Sequence, residues 1–485
     1  MTLPRDSLPR VCLIGAGTSG LITAKVLKDH DIPFDCFERG SGLGGLWRFQ
    51  NDNGMSTCYR SLHINTSKRM MELSDFSFLP EIAEYPSHGE ILSEFERYAD
   101  TFDLRQHIAF STTVEHCQRE SEGGWRISIT GPGGSEERRY DFLMVANGHH
   151  WDPRMADFPG AFDGAQIHAH HYVDTTDPID LAGKNVVVVG MGNSAMDIAC
   201  ELGHMGQGAQ RVYLAQRSGV WIIPKILGSI PQDKFMRHPM VKPGLGEHIK
   251  RRLIPKAMGR FFNDKLIQTI IKLTVGHPTR VGLKAPEEPF HMRHPTVSQE
   301  IHNRLVHGDV IPKGNIRELR GKEVEFEDGS VEEVDAIIHA TGYRINFPFF
   351  DKSFVAAEGN SIPLFQRIFD PRFNDLAFVA LVQPVCAMMP IAELQANLIA
   401  DYITGEYHLP EPDEMRRRGQ AVDAAMKARY TASQSHTIQI DCPEYSFYLR
   451  EEWKRGKKRA IRAGNALPVS ARAADPSEDS TRAAE

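Results

Sequence analysis

Residues 10–27 read RVCLIGAGTSGLITAKVL, and the fold follows from how this stretch is parsed. Residues 11–14 form an unbroken apolar run, the pattern of a strand buried on both faces of a parallel sheet. Gly15, Gly17 and Gly20 follow as GxGxxG, and Leu21, Ala24, Val26 and Leu27 then recur at helical spacing. A second apolar run, PFDCF at 33–37, ends in Glu38, 23 residues after Gly15. Each part has a physical task. The first glycine allows a tight turn, the second lets backbone approach a pyrophosphate, and the third lets the helix lie close to the strand. The acid accepts a hydrogen bond from a ribose hydroxyl. Strand, turn, helix and acid in register predict a dinucleotide site. The next stretch, SGLGGLWRF at 41–49, sets Gly44 and Gly45 before Leu46 and Trp47, a loop whose backbone can come against a ribose and a ring system.

The same grammar returns at 184–202, KNVVVVGMGNSAMDIACEL. Val186, Val187, Val188 and Val189 run into Gly190, Gly192 and Ala195, a GxGxxA variant. The following strand, RVYLAQR, ends in Arg217 where the first site has an acid. An acid repels a 2′-phosphate, whereas Arg217 pairs with it, and Ser194 supplies a second hydrogen-bond donor. Two such folds in one chain predict a flavoprotein that takes hydride from a nicotinamide. FAD is expected on Gly15, Gly17, Gly20, Glu38, Gly45, Leu46 and Trp47, and NADPH on Gly190, Gly192, Ser194, Ala195 and Arg217.

The fold expected is α/β, with two dinucleotide-binding Rossmann-like domains. Two strand ends, Ala146-Asn147-Gly148 and Ala340-Thr341-Gly342-Tyr343, read as crossovers between them. The NADPH domain (176–304) is then an insert in a discontinuous FAD domain (1–175 and 305–463). The polar stretch 464–485 reads as a disordered tail. Residues 381–405 read as a strand and then a helical stripe of Ile391, Leu394, Leu398, Ile399 and Ile403, with Gln395 off the stripe and facing the cofactor.

Composition excludes several classes. The net charge is −7, not the basic balance of a nucleic-acid binder. The longest apolar run, 376–392, is broken by Gln383, Pro384 and Pro390 and does not read as a membrane span. The N-terminus has no apolar core of a signal peptide. Seven scattered cysteines with no CxxC pair suit a reducing cytosol, and hence a cytoplasmic enzyme, better than a disulfide framework. Disulfide reductases share the two-nucleotide layout but need CxxxxC after the first fold, and Cys58 is the only cysteine between 40 and 60. The cluster FDGAQIHAHHY (162–172) invites a zinc reading. On an extended segment, however, His168 and His170 share one face and His171 the other, without acid or Cys partners at standard spacing. No metal is expected.

The sequence resembles the class B flavin-dependent monooxygenases, in particular the flavin-containing monooxygenases, over about residues 9–405. Phe162, Gly164, His168 and Tyr172 fit the fingerprint FxGxxxHxxxY, preceded by Phe158-Pro159-Gly160. Residues 64–76, INTSKRMMELSDF, are similar to the segment that carries an active-site asparagine, here Asn65. Val173 stands where many members have Lys, and Ser218 where many have a second Arg. The related Baeyer–Villiger enzymes typically have Trp at the position of Tyr172.

The resemblance implies that NADPH reduces FAD, that dioxygen adds as a flavin hydroperoxide, and that one oxygen passes to an amine nitrogen or a sulfide. Asn65 is then the catalytic hydrogen-bonding group. The second reading is Baeyer–Villiger oxidation of ketones on the same cofactor, and the third a redox-silent nucleotide-binding scaffold. The expected partners are a small amine, sulfide or ketone and a second copy of the chain, with His168 setting domain orientation from the linker.

Overall fold

The computed structural model describes residues 7–204, 208–234, 236–244, 246, 256–292, 294–429 and 437–469. The two glycine loops stand at the ends of the central strands of two five-stranded sheets, both parallel throughout. In the first, the order is Leu376–Phe378, Phe142–Val145, Val11–Ile14, Phe34–Phe37, Ile108–Ala109. In the second it is Ala165–His168, Ala336–His339, Asn185–Val189, Arg211–Ala215, Val310–Lys313. The central strands are buried along nearly their whole length, which is why they read as continuous apolar runs.

The two sheets repeat one device. The strand beside each central strand ends in a small residue whose carbonyl lies over the glycine turn. A Cβ on Gly15 would stand 2.8 Å from the Ala146 carbonyl oxygen, and one on Gly190 would stand 2.4 Å from that of Ala340. Both glycines also have positive φ, +98° and +138°. A Cβ on Gly20 would fall on the Gly15 carbonyl, so the helix Thr18–Asp29 packs directly on the turn. The strand ends read as crossovers are thus also the roofs of the two turns.

The second sheet draws strands from 165–168, 310–313 and 336–339, all outside the 176–304 expected of the insert. The physical reason is parallel pairing. A strand-loop-helix unit shows its own central strand in sequence, whereas the strands that pair beside it arrive from distant segments. Two smaller sheets complete the units: an antiparallel one of Thr113–Arg119, Trp125–Gly131 and Gly134–Tyr140, and a four-stranded one led by Val331–Glu333 and closed by Gly160–Phe162.

The helix Met389–Ile403 is buried on every side except at Asn397, not along one stripe. It lies between the helix Thr18–Asp29 and the C-terminal helix Cys442–Arg462. No described helix is long and apolar enough to cross a membrane. Residues 470–485 of the expected tail lie outside the described residues. The stretch 464–469 is docked: Asn374 donates to the Pro468 carbonyl at 3.1 Å, and Leu467 packs on the core.

Cys386 and Cys442 are joined by a disulfide across 56 residues, contrary to the reading of the cysteines as a reduced set. Tertiary structure creates this pair. Gln383–Pro384 runs parallel to Gln439–Ile440, which brings the two following segments side by side.

Gly15→Ala is expected to lower the unfolding free energy by about 1–3 kcal/mol. Gly89→Ala, exposed at a helix start with open space at its Cβ, should be neutral or stabilising by up to about 1 kcal/mol. Urea unfolding of the two variants checks the contrast, and equal effects would refute the roofed-turn explanation.

Candidate active site

One cavity of about 1020 Å³ runs from the first glycine loop to the first turn of the second nucleotide helix. The first loop contributes Gly15, Gly17, Thr18 and Ser19, and the second contributes Asn193 and Ser194. Gly190, Gly192 and Ala195 form the turn beneath Asn193 and Ser194, where Gly192 caps the helix Asn193–Leu202 with open space at its Cβ. Gly20 lies behind the first loop and serves packing.

Glu38 is buried, and its carboxylate is held by backbone. Oε2 accepts from Ala16 N at 2.8 Å and Oε1 from Gly40 N at 2.7 Å. An unpaired buried carboxylate would be very costly, so these donors are what allow the acid to sit at the strand end. Gly45 has φ +56°, and its added Cβ would come 3.0 Å from Gly17 Cα, so the two glycine segments touch. Asn51 Nδ2 donates to Gly45 O at 3.0 Å and Cys58 Sγ to Leu46 O at 2.9 Å. Burial pushes the Cys58 thiol up to about 12 and keeps it a thiol. Gly45, Leu46 and Trp47 all line the cavity.

Asn65 faces the same cavity, and its Oδ1 is buried without a hydrogen-bond partner. His149 Nε2 and Trp151 Nε1, also on the cavity wall, are likewise buried and unpartnered. Buried polar atoms normally find partners, so three orphans around one cavity fit a polar ligand there. With the glycine cradle and Glu38, they fit a bound flavin dinucleotide beside a nicotinamide. His149, His150 and Trp151 carried no sequence signal beyond their place after Ala146-Asn147-Gly148.

The segment holding Asn65 is clipped to the second domain. Tyr59 Oη donates to Asp197 at 2.5 Å and Ser61 Oγ to Glu201 at 2.7 Å, both on the helix Asn193–Leu202. Burial raises the carboxyls of Asp197 and Glu201 above the ordinary range. These tie Asn65 mechanically to the second glycine loop.

Arg217 is exposed at the end of its strand and does not line the cavity. Arg154 lies close by. Its guanidinium is pushed below its usual value by burial, then by the charges of Arg217 and Arg344. Three like charges gathered at one strand end are an anion site in waiting. Arg154 and Arg344 come from distant segments and were not legible in sequence.

The fingerprint residues are structural. Phe162 packs on the core under the second sheet, and a Cβ on Gly164 would strike the Phe162 ring at 2.5 Å. His168 Nδ1 accepts from His170 N at 3.0 Å, which leaves Nε2 to donate to Gly342 O at 3.1 Å. Tyr172 meets Tyr59 edge-on, with ring centroids 6.3 Å apart. His170 Nε2 contacts Gly54 O at 3.0 Å, so these imidazoles are spent on backbone. Gln395 does not face the cavity. Its Oε1 accepts from Ala380 N at 2.7 Å and its Nε2 donates to Tyr445 Oη at 2.6 Å. It therefore supports Ala380, a cavity residue with φ +57°, from behind.

Two glycine-turn units sharing one cavity define an oxidoreductase built for two dinucleotides. The chain belongs to the family described as flavin-binding monooxygenase-like, whose model matches residues 9–452. Flavin-containing monooxygenase 5 of Oryctolagus cuniculus is 34% identical over 451 residues, 89% of this chain and 80% of that protein. Dimethylaniline monooxygenase (N-oxide-forming) 2 of Macaca mulatta is 32% identical over 458 residues, 90% of this chain and 81% of that protein. The fold is shared with S-allyl-L-cysteine S-oxygenase from Allium sativum (TM-score 0.67, 24% identity, covering 99% of this chain and 98% of that one). It is shared too with cyclohexanone monooxygenase from Rhodococcus sp. Phi1 bound to NADP⁺ (TM-score 0.65, 17% identity, covering 93% and 98%). The chain is a flavin-dependent monooxygenase.

Burial lowers His150, His168 and His339 from 6.5 to about 4. Between those pH values the unfolded chain binds more protons than the native one, so stability rises with pH and is lost on acidification. The thermal midpoint should therefore fall as pH drops from 6.5 toward about 4. His168→Gln, which keeps both hydrogen bonds without a titrating ring, should flatten the fall. An unchanged slope in that variant would contradict the assignment.

Proposed function

We propose that this enzyme transfers one oxygen atom from dioxygen to a soft nucleophile, an amine nitrogen or a sulfide sulfur, at the expense of NADPH. The supporting observation is the neutral amide of Asn65 inside the shared cavity, its Oδ1 buried and unpartnered. When bound, the reduced flavin supplies the activation of dioxygen that no side chain here can perform. For a sulfide the balance is sulfide, dioxygen, NADPH and a proton to sulfoxide, NADP⁺ and water.

The protein's own task is to bind, orient and keep out water. Gly15, Gly17, Ser19 and Glu38 hold the flavin dinucleotide, with Gly45, Leu46 and Trp47 against its ring system. Asn65 orients the reacting oxygen and the nicotinamide by hydrogen bonds without delivering a proton. His149 and His150, held neutral by burial, likewise leave that end of the cavity without a ready acid. Ser194 and Arg217, with Arg154 and Arg344 nearby, hold the 2′-phosphate and select NADPH. The residues of the 162–172 linker keep the two domains in register.

Ketone oxygenation is the second reading. It needs the reacting oxygen deprotonated, and burial, which keeps His149 on the cavity wall from taking up a proton, weighs against that reading.

Asn65→Ala should raise hydrogen peroxide release and lower the oxygenated product formed per NADPH, while the flavin stays bound. Unchanged coupling would remove Asn65 from the mechanism. Arg217→Ala should raise KM for NADPH by about 10- to 100-fold while leaving KM for NADH nearly unchanged, the loss expected for charge-assisted bonds. Parallel rises for both would show that Arg217 does not read the phosphate. NADPH oxidation against amines, sulfides and ketones, with product and peroxide quantified, separates the two substrate readings.

A further inference from the structure

Part of the cavity lining is apolar: Ile223, Leu227, Met236, Ile267, Ile271 and Phe290. Asp233, only 4% exposed, lines the same cavity. Its Oδ2 accepts from the backbone N of Ser67 at 2.8 Å. Its Oδ1 is buried and has no hydrogen-bond partner. Arg69 approaches the same turn but donates to the backbone carbonyls of Asp233, Lys234 and Met236 rather than to the carboxylate. A buried carboxylate with one oxygen unpartnered is a costly arrangement, which the single bond to Ser67 N offsets only in part. Asp264 and Asp441 also line the cavity, and among the described residues it contains no lysine, with Arg39, beside Glu38, as its only arginine.

The carboxylate also stands near the reaction. Its anchor, Ser67, is two residues from Asn65, so the two Cα atoms are at most about 7.6 Å apart. A small substrate can therefore touch Asp233 with one group and present another beside Asn65.

Building on the oxygen-transfer reading above, we propose that Asp233 is a specificity-determining residue: it binds an ammonium group of the substrate while a separate soft nucleophile, a sulfide sulfur or a second, unprotonated amine, is oxygenated. The ammonium nitrogen is a spectator, because its lone pair is held by the proton and cannot attack oxygen. The sulfur takes one oxygen atom and loses two electrons, NADPH supplies two more, and the second oxygen leaves as water.

The test compares 2-(methylthio)ethylamine with its neutral near-isostere 2-(methylthio)ethanol on the flavin-loaded enzyme, with sulfoxide measured directly. The wild type should prefer the ammonium sulfide in kcat/KM by roughly 10- to 100-fold, as for a hydrogen bond to a buried charge. In D233N, which keeps an acceptor for Ser67 N, the ratio should collapse toward one. Because the readout is a ratio within each enzyme, a general loss of activity does not imitate it. A wild-type ratio near one, or an undiminished ratio in D233N, overturns the assignment.

Should D233N fail to hold flavin, or should neither sulfide be oxygenated, binding of propylammonium and of propanol to the wild-type holoenzyme decides the matter through the flavin absorbance. Preference for the cation supports the subsite even if the oxygenation reading has failed, and equal or absent binding sinks it.

Discussion

Everything in this structure hangs on two places where the backbone passes beneath a carbonyl with no room for a Cβ. Gly15 lies under Ala146, and Gly190 lies under Ala340. The close approach lets the central strand of each sheet turn at once into a helix whose first N–H groups stay free. Those free donors and the helix dipole are what make a phosphate site. A side chain at either glycine would push the neighbouring strand away, and with it the segments that follow, Asn147 to Trp151 on one side and Thr341 to Tyr343 on the other. Both of those segments have functional neighbours, the cavity wall in the first case and the His168 hydrogen bond in the second.

From these turns the chain builds one working space out of two domains. The segment from Tyr59 to Ser67 is the physical link between them. It reaches Asp197 and Glu201 on the helix Asn193–Leu202, carries Asn65 into the cavity, and fixes the carboxylate of Asp233 through Ser67. The same short segment therefore bonds both to the second domain and to the cavity wall. The linker fingerprint belongs to this frame: His168 ties one edge strand to the end of another, and Tyr172 packs on Tyr59.

Much of the site was legible because it is local. A glycine turn, its helix and the acid at the next strand end occupy under thirty consecutive residues, and chain connectivity alone places them together. Gly45 to Trp47 were reached in the same way, and Asn65 through the family resemblance alone. What escaped depends on contacts across long stretches of chain. Gln395 was placed against the cofactor because it lies off an apolar stripe, but its helix is buried all round and both ends of its amide are taken by protein. The limits of the insert were too narrow because edge strands announce themselves only by pairing. Arg154 and Asp233 had no motif to mark them, since their meaning comes from Arg217 in one case and Ser67 in the other.

The sequence by itself determined two dinucleotide units, their order, the acid and the arginine at the two strand ends, and the family, because each rests on near-neighbour steric rules. Only the tertiary structure decided that the units share a single cavity, that Cys386 meets Cys442, and that a carboxylate with one unpartnered oxygen lines the same cavity as Asn65. Those facts arise from groups 56 to 166 residues apart being brought within a few ångströms, and no local pattern records that approach.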